Sequence, residues 1–490
     1  MARVEAWAPR SGAELTADRD RIGTGWDLDR FTWKCASLTS SLVLLALLAR
    51  LIAVHLLPVA PTSERELLYA QLADEWRTSL DFSLDGRPTA VVMPLYPIAL
   101  GVLRWFNPES WRSVLVLQAI FGALTCWLAF RVAWRVSRNA VVAWSTLALC
   151  ALYPPLVLAC LKLEPLVAYG FLLVLGLWLL TFVLGDSFHI GFYLAAGILF
   201  IMGLYLTPRL LVLVPLLALW AGLRAYDRLS GTLGAVALML ACILSLMPWV
   251  GRNFLVVGGF IPFTTGSAHA LVESLSEAGA QPLGETEGSA GQDEAFQYSA
   301  AVKSTLHQIG ELEARGWLRI GVRAFPYWVS SYPGLLGGVG EGDGRGSRIE
   351  ASMVYRAFLL SLTLTLVSLA VLGFFSAFFR VDAWVMAGVL VSATGADVLF
   401  NNPPPDHLAY WPLFAVFVSW GGWTAGKWLF RPRKPKPRKT LNGSGGGSPW
   451  PDQLELGATP LEPIRGTRTI PPLGGKEDRE DEPPRLDPIF

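Results

Sequence analysis

PVAPTSERELLYAQLADEWRTSLDFSLDGRPTAVVMPLYPIALGVLRWF, residues 58–106, is a polar and aromatic interruption set between two long apolar runs. Its first half places Leu67, Leu68, Leu72 and Trp76 near one face at helical spacing, the pattern of a helix that lies in a membrane interface. Its second half is short for a span and is interrupted by Pro94 and Pro97, so it reads as re-entrant or interfacial. Ser63 and Glu66 have the spacing of a capping box at the start of the helix.

The flanking composition sets the class. The 490 residues are 53% hydrophobic and only 16% charged, with a mean hydropathy of +0.43, and several runs exceed the roughly 18 apolar residues of a bilayer span. The chain therefore reads as an all-α polytopic membrane protein. A net charge of +1 gives no global field for nucleic acid, and the five cysteines sit in or beside apolar runs without CxxC or CxxH spacing, as buried small hydrophobes do. The first apolar run begins near residue 37 after a charged segment and is long enough to span, unlike a cleavable signal peptide.

Working outward, residues 1–35 form a cytoplasmic lead-in and 36–58 the first span. After the 59–110 loop, spans follow at 112–134, 140–160, 164–184, 188–207, 209–225 and 231–250, then at 353–379, 382–400 and 408–430, about ten in all. Basic residues cluster at 131–139, 223–228 and 431–439, which places those segments and both termini in the cytoplasm. Alternation then puts the 59–110 loop, Lys162 to Glu164, Thr207 to Arg209 and the long loop 251–352 outside. Within that long loop the amphipathic stretch after Ala295 reads as an interfacial helix. The tail, 431–490, is basic and then rich in Gly, Pro and charge, a composition that predicts disorder. No fixed-period repeat, Walker loop, GxSxG or HExxH is present.

Several residues could carry chemistry on a substrate that is half lipid. Glu64 and Glu66 diverge by about 200° on a helix, so one of them can face a given site. A carboxylate beside an apolar interface can accept a proton from a hydroxyl, or hold a divalent metal against a phosphate. Lys162, Arg209 and Arg252 are cations at outer span ends, and Arg pairs bidentately with phosphate oxygens. Glu164 stands beside Lys162, and His407, at the outer end of the last span, could hydrogen-bond a phosphate or sugar. Asp74, Glu75, Asp81 and Asp85 read as surface charges.

The order of these features resembles the GT-C superfamily of membrane glycosyltransferases, and within it the bacterial protein-mannosyltransferase-like and aminoarabinose-transferase-like group, glycosyltransferase family 39. The resemblance covers residues 36–430 and rests on PLYP at 94–97, the span GALTCWLAFRVAWRV (122–136), ALYPPLVLACLKLEPL (151–166), the TPR turn (207–209) and PWVGRNFLVVGGFIPFTTG (248–266). It implies a GT-C-like bundle with interfacial helices in the first outer loop. It also implies transfer of a sugar from a polyprenyl-phosphate carrier to a glycan, lipid or protein acceptor, on the outer face of the bacterial cytoplasmic membrane. By the same resemblance Glu64 or Glu66 is the base or a metal ligand, and a divalent ion such as Mg or Mn, where one is used, would be held by Glu64, Glu66 or Glu164. Tyr69 and Glu164 match substrate-side positions, and Arg209 and Arg252 match cations near the lipid phosphate. Arg65 stands where the family commonly has Asp, and His407 with Ala409 and Tyr410 stands where it has Arg-Tyr. A second reading is a GT-C-fold protein that binds lipid-linked glycans or assists envelope assembly without catalysis. A transporter would need mid-span ionisable residues, which are sparse.

Overall fold

The structure, a computed structural model, describes residues 36–57, 61, 63–183, 190–224, 228–283, 293–329, 353–400 and 404–430. The readings of residues 1–35 and of the tail 431–490 fall outside the described residues. What is described is helical, apart from one two-stranded hairpin that pairs Ser83–Leu84 with Arg87–Pro88. The protein is an all-α membrane protein.

Helix α1, Ala36–Leu56, is followed by α2, Glu64–Ser79. Ser63 caps α2 and Glu66 returns the bond, the capping box that the sequence spells. The hairpin turns on Asp85 and Gly86, both at positive φ, where an Asp-Gly pair costs least. Glu75 fastens this turn by accepting from the Asp85 and Gly86 amides and the Ser83 hydroxyl. Helix α3, Leu95–Phe106, then packs on α2 at Gly101. A Cβ there would stand 2.7 Å from the Trp76 ring and 3.0 Å from the Ala73 carbonyl, so only glycine lets the two helices approach this closely.

The bundle continues through α4 (Arg112–Ser137), α5 (Ala140–Leu152) and α6 (Pro154–Leu158), the last extended by a short 3-10 turn to Leu161. The axes before and after Tyr153 differ by 55°, where Pro154 removes a backbone donor and starts a new helix. Next come α7 (Leu166–Val183), α8 (Ile190–Leu206), α9 (Leu210–Arg224) and α10 (Arg228–Ser245). Helix α10 runs on through α11 (Met247–Arg252) and a π turn to Val257. The long segment after α11 holds α12 (Thr265–Glu277), α13 (Glu294–Glu311), α14 (Ala314–Val322) and α15 (Ala324–Val329). The one interfacial helix read from the sequence is thus three, broken at Leu312 and Arg323, and Leu275, Ile320 and Tyr327 pack with Val398 in a small apolar cluster of their own.

Helices α16 (Met353–Ser376) and α17 (Val381–Leu399), a 3-10 segment Pro404–Ala409 and α18 (Trp411–Leu429) close the described chain. Helices α16 and α18 meet at Gly373 and Gly421, where an added Cβ would fall 2.0 Å from the Phe417 carbonyl and 1.8 Å from that of Leu369. Small residues at this crossing let two apolar backbones touch, the usual contact of membrane helices.

Among the described residues four helices are long and apolar enough to cross a membrane alone: Ser37–Leu56, Arg112–Ser137, Leu229–Val257 and Val381–Leu399. The bent pair Ala140–Leu152 and Pro154–Leu161 makes a fifth if it is one span. Five shorter apolar helices, Leu95–Phe106, Leu166–Leu180, Gly191–Leu206, Leu210–Gly222 and Leu360–Ser376, accompany them.

Candidate functional site

A cavity of 630 Å³ opens where the 61–106 loop meets the turns 162–165 and 207–209, the start of α12 and the 3-10 segment 404–409. One pole is ionic and is formed by Glu64, Arg65, Tyr69, Glu164, Arg209 and Asp406. The rest of the lining includes the apolar Leu166, Leu206, Leu211, Val212, Phe263 and Phe400 together with Thr264, Ser267 and Glu273. Val212 is 49% exposed, so the apolar side leads out to the surface of the helical bundle.

The ionic pole is organised by Asp406. Its carboxylate accepts from Arg65 Nη1 at 3.3 Å and from Arg209 Nη2 at 2.5 Å, while Arg209 Nη1 lies 2.9 Å from Asp397. Arg65 Nη1 is also 4.0 Å from Glu164. The hydrogen bonds and ion pairs of Arg65 with described residues all pass through Nη1, and no described acceptor bonds its Nε or Nη2. Burial alone would raise the pKa of Asp406, but Arg209 and Arg65 outweigh it and hold this carboxyl below its usual value. Glu164 shows the opposite balance: burial first, then the nearby Asp406, pushes it up to about 7 against the pull of Arg65. Burial also pushes the Tyr69 phenol up to about 12, so it stays a neutral hydrogen-bonding group.

Two elements position this pole. Glu66 is buried, and beyond the capping box its Oε1 accepts from the Leu163 amide at 2.9 Å while Oε2 lies 3.6 Å from Lys162 Nζ. The helix cap of α2 is thereby tied to the Lys162–Pro165 turn that presents Glu164. Arg252 does similar work on the first loop: it donates to the carbonyls of Phe82 at 2.5 Å and Thr89 at 2.6 Å, with its guanidinium against the Phe82 and Trp249 rings. Glu294 adds a third fastening, accepting from the Ala90 amide and the Thr265 hydroxyl.

Of the residues singled out from the sequence, Glu64, Tyr69, Glu164 and Arg209 thus line one cavity. Glu66 and Lys162 pair with each other behind it, and Arg252 is spent on loop carbonyls. His407 is buried with its ring against Tyr327 and Trp328 rather than on the cavity wall. The sequence reading missed Asp406, which stands beside His407, and Asp397, which accepts from the Tyr327 hydroxyl at 2.7 Å as well as from Arg209. A buried aspartate near the end of an apolar helix is the signal that was available. No group of three or more His, Cys, Asp or Glu side chains among the described residues is placed to hold a metal ion.

No protein-family model matches this chain, and no curated protein matches it. Among solved structures it is similar to the archaeal oligosaccharyltransferase AglB from Archaeoglobus fulgidus, determined in complex with an inhibitory peptide and a dolichol-phosphate. The TM-score is 0.46 at 12% sequence identity, over 82% of this chain and 53% of that one, so this chain spans about half the length of the protein it matches. At that similarity it assigns no residue a role.

Proposed function

We propose that this protein is an integral-membrane glycosyltransferase that moves a sugar from a polyprenyl-phosphate carrier to an acceptor in the 630 Å³ cavity. The observation that carries this reading is that the ion cluster built on Asp406 and several apolar side chains line one cavity, which suits a ligand that is itself half anion and half hydrocarbon. The carrier chain enters past Val212 and Leu211. Its phosphate meets the unused N–H groups of Arg65, with Arg209 behind them.

The chemistry follows from that placement. The acceptor hydroxyl attacks the anomeric carbon, the bond from that carbon to the phosphate oxygen breaks, and the phosphate departs with the electron pair. Glu64, which is exposed on the cavity wall, takes the acceptor proton, while Glu66 and Lys162 hold the turn that carries Glu164. Arg65 and Arg209 face the charge that grows on the leaving phosphate, and donors fixed in advance at a dry site stabilise such charge most.

An outer-face location is supported by α4. Gln118 near its start donates to the Lys162 carbonyl beside the cavity, whereas the basic run that marks the cytoplasmic side begins at Arg131. At about 1.5 Å per residue, Gln118 and Arg135 stand roughly 25 Å apart along the helix, close to the thickness of a bilayer core.

The test is transfer from a labelled polyprenyl-phosphate sugar by membranes that hold the wild type or Glu64→Gln at equal protein level. Loss of a proton acceptor lowers the rate by about 10²–10⁴-fold. A second reading, a binding protein without catalysis, is favoured by Arg65 in place of the customary acid. Carrier binding without transfer by the wild type would select it.

A further inference from the structure

The first span contains a charge that the cavity does not use. Arg50 lies within α1 and is 1% exposed. Its Nη1 donates to the Ala46 carbonyl at 2.9 Å, and its Nη2 donates to the Cys150 carbonyl at 3.2 Å and reaches Cys126 Sγ at 3.6 Å. Its Nε is buried and makes no geometrically formed hydrogen bond, with the Cys160 thiol beside the guanidinium as a weak neighbour. Among the described residues no carboxylate pairs with this guanidinium, and the titratable groups that act on it are the thiols of Cys126, Cys160 and Cys150. These thiols are themselves donors: Cys126 Sγ lies 3.2 Å from the Gly122 carbonyl and Cys160 Sγ 3.6 Å from that of Leu156. A thiol that donates carries its proton, so Cys126 and Cys160 supply no negative charge.

An arginine cannot shed its proton in a protein, and an uncompensated charge among apolar helices is strongly unfavourable. Space for a counter-charge exists. Arg50, Gly122, Thr125, Cys126 and Cys150 bound a cavity of 30 Å³, against the roughly 10–15 Å³ that a single water requires. A Cβ on Gly122 would stand 2.7 Å from Arg50 Nε and 3.0 Å from Cys160 Sγ, so glycine keeps the room in front of that nitrogen open.

We propose that Arg50 holds one small monovalent anion, a halide of the size of chloride, in the cavity bounded by Gly122, Thr125 and Cys126. The anion accepts from the Nε–H group. It balances the guanidinium that joins α1 to Cys126 of α4 and Cys150 of α5, and it sits against Leu408, Ala409 and Pro412, which follow Asp406 in the chain. This site is independent of the transfer reaction.

The test uses the full chain purified in detergent with gluconate as the only anion. Sodium bromide, added at constant ionic strength, raises the melting temperature saturably, by about 3 °C at a hundred times the dissociation constant. Arg50→Gln abolishes the rise. Because that variant can fail to fold, crystals of the wild type grown in bromide supply a second readout: an anomalous peak within about 3.5 Å of Arg50 Nε. An equal melting temperature in gluconate and bromide overturns the proposal. So does ordinary water density without anomalous signal in this cavity, even where bromide stabilises the protein.

Discussion

Asp406 and Arg65 lie 341 positions apart in the chain, and the Asp406 carboxylate accepts from Arg65 Nη1 at 3.3 Å. The same carboxylate receives Arg209, so one buried anion joins the first loop, the turn after α8 and the segment before α18. Asp406→Asn leaves two arginines facing each other. Removing one member of a buried pair costs about 3–5 kcal/mol, and the retained Asp397 contact of Arg209 puts this variant at the lower end. Thermal unfolding in detergent checks it. A double-mutant cycle of Asp406→Asn with Arg65→Met that shows no coupling would contradict the bridge.

Glu164 and Asp406 give the protein opposing pH dependences. A carboxyl raised to about 7 keeps its proton in the folded state after the unfolded chain has lost it. Its contribution is therefore most favourable below the ordinary glutamate pKa, declines as pH rises through that value toward about 7, and is constant above. Asp406, held below its ordinary value, contributes above that value, and its contribution is lost as pH falls further into acid. Melting temperatures of the wild type and Glu164→Gln between about pH 4.5 and 8 should differ by an amount that changes below pH 7 and is flat above it. A difference independent of pH throughout would show that Glu164 titrates normally.

Arg65 and Lys162 are both cations near the cavity, but their partners assign them different work. Arg65→Met should weaken binding of a farnesyl methyl phosphodiester by about 10–100-fold, the worth of charge-assisted hydrogen bonds. Lys162→Met should leave that affinity alone and lower the melting temperature, because Lys162 pairs with the carboxylate of the α2 cap. Isothermal titration and fluorescence-detected melting separate the two. Equal effects of both variants on affinity would mean that the anion is bound elsewhere.

The α16–α18 crossing is a packing prediction. Gly421→Ala would place a methyl 1.8 Å from the Leu369 carbonyl, so the helices must part, at a cost of about 1–3 kcal/mol. Gly426, on the same helix, has nothing within 4 Å of an added Cβ, and Gly426→Ala serves as the neutral comparison. Equal melting temperatures for the two variants would place the crossing at another register.

Much of this architecture could be read locally. Most of the apolar runs gave helices whose limits fall within a few residues of the expected spans, Ser63 and Glu66 marked the cap of α2, and the TPR turn at 207–209 marked a break, whereas the single span expected at 140–160 is bent at Pro154. The same breaks exposed Glu164 and Arg209 as cavity residues, because a charge beside an interrupted apolar helix has few places to go. Tertiary packing alone decided which charges meet. Nothing near Arg65 in the sequence points to Asp406, and nothing near Arg252 points to the Phe82 and Thr89 carbonyls that occupy it. Helix formation and burial depend on neighbours three or four residues away, whereas an ion pair between distant segments exists only after the bundle has brought its turns together.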